Sequence, residues 1–123
     1  MPKPSFVEWE ATEEIQKRAL EALEIARETG RIKKGVNETT KTVERAIAKL
    51  VLIAEDVDPP EIIMFLPGLC DDKKVPYIFV NSKNNLGEAA GIERPTSAAS
   101  ILVEGKAKDL VSDVVDKIEA LRK

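Results

Sequence analysis

Two short, unbroken apolar runs constrain this chain most: LVLIAEDV at 50–57 begins as one, and VPYIFV at 75–80 is the other. A run without polar alternation must be covered on both faces, as strands inside an α/β layer structure are. The flanking pattern agrees. Residues 12–29 carry Ile15, Ala19, Ala22, Leu23 and Ala26 at helical spacing, and Gly30 supplies the stop. A third strand is expected at about 99–103. Beyond it, Leu110, Val111, Val114, Val115, Ile118 and Leu121 form one helical stripe. Strands alternating with helices predict the α/β class, as a three-layer α/β/α sandwich around a mixed sheet of about four strands.

The smaller elements follow from punctuation. After the short stretch 31–34 comes Gly35, and Asn37 is the expected N-cap of a second helix running to about Lys49. Its buried face would be Val43, Ala46, Ile47 and Leu50. Pro59 and Pro60 open a third helix, with Pro60 at the first position, where a missing N–H costs nothing. Pro67 and Gly68 are expected to kink or interrupt it before Cys70. Residues 82–90 read as a short helix stopped by Gly91, and the turn IERPTS leads to the next strand. Residues 1–9, with two prolines, are the expected ragged part. A length of 123 residues fits a single domain, 1–123.

Composition then excludes several function classes. Histidine is absent, so His-based acid–base catalysis, triads and histidine metal ligands are ruled out. One cysteine makes neither an intrachain disulfide nor a Cys-rich zinc site, and Cys70 reads as a small core residue. Neither a phosphate loop of the G-x-x-x-x-G-K-[ST] kind nor a G-x-G-x-x-G fingerprint occurs. Glu55, Asp56, Asp58 and Glu61 could in principle gather around magnesium, but carboxylates also sit at helix starts for structural reasons. No cofactor is expected. The chain shows neither a basic-then-apolar signal segment nor an apolar run near the ~18 residues that span a bilayer. The expectation is an intracellular, cytoplasmic protein away from membranes.

Charge is unevenly placed. The formal net charge is −3, yet 31–49 holds Arg31, Lys33, Lys34, Lys41, Arg45 and Lys49 against Glu38 and Glu44. That stretch is +4 and the remainder −7. Such a protein can bind a polyanion at one face and repel it elsewhere, although a solvated helix face would look the same. Within this stretch Glu38, Lys41, Arg45 and Lys49 are spaced 3, 4 and 4 apart and so share one helical face. The stripe starts at a helix N-terminus, where open N–H groups and the dipole attract phosphate. Asn37 can donate and accept, the Glu38 carboxylate accepts from base amino groups, and Lys41 can donate to guanine or pair with phosphate. This mixture suits the reading of base edges better than bulk charge attraction. The Asn37-Glu38-Thr39 triplet also matches a glycosylation acceptor, an accidental match without a secretory signal.

Over nearly its whole length the chain resembles a known family, the kink-turn-binding ribosomal proteins, which has an archaeal large-subunit member. The resemblance rests on GVNETTKTVERAIAKLVLIAEDVDPPEI, on LPGLCDDKKVPYIFVNSKNNLGEAAGI and on the IERP turn. It implies the same sandwich and a non-enzymatic role: binding sharply bent RNA helices with tandem sheared G·A pairs and an extruded nucleotide. Asn37, Glu38 and Lys41 match the positions that contact the G·A pairs. Gly35, beside Lys34, allows close backbone approach, and Arg45 matches a position near phosphates. Asp58, Ile62, Lys83 and Arg94 match positions around the extruded base, while Ile92, Glu93, Arg94 and Pro95 form the loop against the bend. The ERP sequence is similar to the form common in eukaryotic relatives. The implied partners are ribosomal RNA, box C/D and H/ACA guide RNA, ribonuclease P RNA and ribonucleoprotein core proteins, with the free chain a monomer.

The residues themselves leave two other readings open. One is a protein–protein scaffold whose basic stripe meets an acidic partner; kink-turn RNA against the same helix without G·A pairs would separate it. The other is a magnesium-dependent enzyme using the Asp58 region, although no nucleophile or general base accompanies those carboxylates.

Overall fold

The computed structural model describes residues 9–122. Helix α1 (Glu13–Thr29) starts where Thr12 Oγ1 accepts the Ile15 N–H at 3.2 Å, and the Gly30 N–H closes it onto the Ala26 carbonyl at 2.7 Å. Strand β1 (Arg31–Lys34) and helix α2 (Val36–Glu44) follow, then β2 (Leu50–Ala54), in which every residue is buried. A 3₁₀ turn (Pro60–Ile62) and α3 (Leu66–Asp72) lead to β3 (Tyr77–Val80), also wholly buried. Helix α4 (Lys83–Ala89), β4 (Ala98–Val103) and α5 (Lys108–Arg122) complete the chain.

The expected mixed four-stranded sheet is present, in the order β1-β4-β2-β3. β4 pairs antiparallel with both β1 and β2, and β2 runs parallel to β3. Helices α1, α4 and α5 pack together on one face, and α2 packs with α3 on the other. The central strands are therefore covered on both sides, which is why their sequences are apolar without alternation. Leu23, Leu52, Ile53, Ile78 and Ile101 are fully buried at its centre. Among the described residues no helix is long and apolar enough to cross a membrane.

Several expectations need correction. The fourth strand is 31–34, a stretch whose three basic residues in four gave no strand signal. Helix α2 ends at Glu44, not near Lys49. Ala46 adopts a left-handed φ of 55°, the Ala46 N–H bonds to the Val43 carbonyl, and the Ile47 N–H bonds to the Thr42 carbonyl. That pair of bonds is a Schellman stop. The buried face is thus Thr39, Thr42 and Val43; Ala46 and Ile47 are exposed, and Leu50 is buried as a strand residue. The stretch after Pro59 divides at Ile63–Phe65, and Pro67 lies in the first turn of α3 instead of kinking a longer helix. On α5 the stripe holds at Val111, Val114 and Ile118, whereas Leu121 is 40% exposed.

Residues 1–8 of the expected ragged segment lie outside the described residues, but Trp9 is anchored. Its Nε1 donates to the Tyr77 hydroxyl at 3.0 Å, and the Arg122 guanidinium lies 5.7 Å from the Trp9 ring and 5.1 Å from Tyr77. Arg122 also holds Asp71 through two bonds of 2.9 and 3.0 Å, which ties α5 to α3.

Cys70 is fully buried in the core. Burial, aided by the Asp71 charge, pushes its thiol from 9.0 up to about 12. Folding therefore favours the protonated thiol, so this contribution is intact below pH 9 and is lost as pH climbs toward 12. Native protein at pH 8 is expected to leave Cys70 unalkylated by iodoacetamide for as long as it stays folded. Alkylation at the rate of a free peptide thiol would contradict the packing.

Candidate nucleic-acid interface

Strand direction gathers the candidate residues. Lys34 stands opposite Ala99, Ile53 opposite Ala98, and Ala54 beside Val80. The C-terminal ends of β1, β2 and β3 and the start of β4 therefore share one edge of the sheet. Along that edge, in strand order, lie Lys34–Gly35, the loop 92–97, the segment leaving β2, and the start of α4. Ligand sites in open α/β sheets collect at such ends.

Backbone bonds fix these loops to one another. The Gly35 N–H donates to the Ala98 carbonyl at 2.8 Å, and the Ala54 N–H to the Ser97 carbonyl at 2.9 Å. The Thr96 N–H reaches the Lys83 carbonyl at 3.1 Å, and the Lys83 N–H bonds to Asp56 Oδ1 at 2.8 Å. Asp56 thus has a structural task at the start of α4. Among the described residues no three His, Cys, Asp or Glu side chains stand close enough to hold a metal ion.

The N-cap of α2 is Gly35, not Asn37. A φ of +94° suits glycine, and the space above its Cα is open, with nothing within 4 Å of where a side chain would start. No side chain caps this terminus, so the amides of the first turn face outward. Asn37 and Glu38 are exposed in that turn, two positions further into the helix than expected. Lys41 follows one turn later, with its Nζ 3.7 Å from Glu38 Oε1. Both side chains are about half exposed, 57% and 49%, so the pair is weak and opens readily to a ligand. Arg45 is exposed at the C-cap, and Lys49 lies outside the helix, past the turn.

Around the second expected locus, Ile92, Glu93, Arg94 and Pro95 form one wall of an open cleft of about 280 Å³. Asn84 and Glu88 of α4 form the other wall. Neither was singled out from sequence, although they stand one turn apart on the same helix face as a possible signal. Lys83 is the first residue of α4, half-buried beside this cleft. Asp58 is exposed in the segment leaving β2, and Ile62 closes the 3₁₀ turn with 40% of its surface exposed. An exposed isoleucine beside polar groups is what an apolar shelf for an unstacked base requires. The edge thus offers outward amides, a carboxylate, an amide side chain and cations within one rigid frame.

Comparison with known proteins agrees with this frame. The model of the Ribosomal protein L7Ae/L30e/S12e/Gadd45 family matches residues 17–111. The solved structure of the Giardia lamblia 15.5kD RNA binding protein is 41% identical and superposes with a TM-score of 0.90. That match covers 96% of this chain and 98% of the other. Sheet order, site edge and family match lead to one assignment: the chain belongs to the Ribosomal protein L7Ae/L30e/S12e/Gadd45 family.

Proposed function

We propose that this chain binds kink-turn RNA and holds it in its bent form, acting by binding and not by turnover. The observation that carries the reading is the uncapped start of α2, with Asn37, Glu38 and Lys41 exposed beside it on the edge shared with the loop 92–95. Asn37, Glu38 and Lys41 read the sheared G·A pairs, with Lys34 and Gly35 against the backbone and Arg45 near phosphates. Asp58, Ile62, Lys83 and Arg94 surround the extruded base, while Ile92, Glu93 and Pro95 support the bend. Family membership and the RNA-binding protein of closely similar structure support this assignment.

The RNAs in this proposal are those of the large ribosomal subunit, the box C/D and H/ACA guide particles and ribonuclease P. The particles' core proteins are the protein partners, and the free chain is a cytoplasmic monomer. In each particle, binding shifts the RNA toward the bent form on which later components assemble.

The test is affinity for a kink-turn against the same helix with Watson–Crick pairs in place of the G·A pairs. Two reading contacts at about 1–3 kcal/mol each predict a preference of about thirtyfold or more. Equal affinity for both RNAs would leave only charge attraction and contradict the reading.

A further inference from the structure

The charges at the far end of α2 exceed what the kink-turn site uses. The backbone gathers them around the last residues of β4: Arg31 stands opposite Val103, Lys33 opposite Ser100, and the Lys49 N–H donates to the Ile101 carbonyl at 2.7 Å. Lys33 lies on the face of the sheet that bears α2, because cross-strand partners share a face and the Ser100 hydroxyl meets Thr42 Oγ1 at 3.0 Å. The crossover β2–α3–β3 is of the kind that is right-handed. With that hand, α2 runs down over β1 and β4 and turns the flank carrying Glu38 and Arg45 toward the free edge of β1. Arg45 is on the order of 12 Å along the helix from Asn37, at 1.5 Å per residue.

Among the described residues Arg31, Lys33 and Lys49 have no carboxylate within ion-pair distance, and the proposed kink-turn site, which takes Arg45, does not use them. The carboxylates nearest in sequence are Glu28, Glu38 and Glu44, of which Glu28 and Glu38 face Arg27 and Lys41. We infer that this flank is a second phosphate-binding surface, which takes the sugar–phosphate backbone of the RNA arm leading away from the G·A pairs. The inference rests on the kink-turn reading and extends it: one end of α2 reads the bend, and the flank below it tracks the stem. Solvated lysines and arginines around a strand end have no base edge to read there, so the contact is sequence-independent and salt-sensitive.

The experiment titrates the full chain against three kink-turns: one with short arms, one with the G·A-bearing arm lengthened by a helical turn, and one with the other arm lengthened likewise. Lengthening the G·A-bearing arm is expected to tighten binding about tenfold at low salt and to steepen the log–log salt dependence by about two units. Lengthening the other arm is expected to change neither. The variant Arg31→Gln/Lys33→Gln/Lys49→Gln is expected to lose that gain while keeping the short-arm affinity. An equal gain from either arm overturns the inference, as does a gain that survives in the folded variant. If the variant does not fold, the arm dependence of the wild type decides alone. A wild type that fails to prefer the short-arm kink-turn over a fully paired helix would refute the functional reading instead, and so the two failures are distinguishable.

Discussion

Glu38→Ala is expected to weaken kink-turn binding by on the order of 1–3 kcal/mol, the cost of losing one good base-reading contact. The sign is what makes the result informative. Glu38 is negative and lies in the most basic stretch of the chain, so for a purely electrostatic binder its removal strengthens binding to any RNA. Its partner Lys41, 3.7 Å away, would also be released to pair with phosphate. If the carboxylate accepts hydrogen bonds from amino groups of the G·A pairs, alanine leaves those donors unmatched. The loss is expected to disappear on a plain duplex, where Glu38 has nothing to read. Titrating both proteins against both RNAs at one salt concentration gives the answer. Equal or tighter kink-turn binding by the folded variant removes Glu38 from the reading residues.

Gly87→Ala is expected to cost stability and RNA affinity together. Glycine inside a helix is ordinarily a weakness, and alanine there gains about 0.5–1 kcal/mol. At Gly87 the added Cβ would meet backbone: the Arg94 carbonyl oxygen at 2.0 Å, its carbon at 3.0 Å and the Pro95 Cα at 3.1 Å. Backbone cannot rotate aside as a side chain can, so α4 and the loop 92–95 must separate. Overpacking of this kind costs typically 1–3 kcal/mol, enough to lower the melting temperature by about 5 °C or more. Because the displaced loop is the one proposed to lie against the bend, kink-turn affinity is expected to fall as well. Gly68→Ala is the control, since nothing lies within 4 Å of its added Cβ. Calorimetry in which Gly87→Ala melts at or above the wild type would show that the loop does not depend on this close approach.

What the sequence revealed and concealed has a physical pattern. The strands β2 and β3 were legible because burial on both faces leaves continuous apolar runs, and α1 because its one buried face repeats with helical period. β1 was not, because it is an edge strand of four residues, three of them basic, with only one hydrophobic residue to report its pairing. Helix ends show the same division. The helices α2, α3 and α4 all stop with a left-handed residue and the same pair of Schellman bonds, at Ala46, Lys74 and Gly91. Only the third uses glycine, and only its end was read correctly. The stop at Ala46 removes Lys49 from the helical stripe and exposes Ile47.

Of the candidate interface, Asn37, Glu38 and Lys41 could be proposed from the chain, and the loop 92–95 from the resemblance. Their common edge could not, because it depends on β4 entering between β1 and β2. Asn84 and Glu88 were missed for a related reason: they face the cleft only because Gly87 lets α4 close on the Arg94 backbone.

The central claim is that the protein stabilises a bend, and the population of the bent RNA tests it most directly. A kink-turn carrying a fluorescence donor and acceptor on its two arms is mostly extended at low magnesium. Stoichiometric addition of the protein is expected to raise energy transfer to the level of the fully bent form. Only a binder with higher affinity for the bent form can shift that equilibrium. Replacing the G·A pairs by Watson–Crick pairs is expected to abolish the rise. Tight binding with no change in energy transfer would contradict the account.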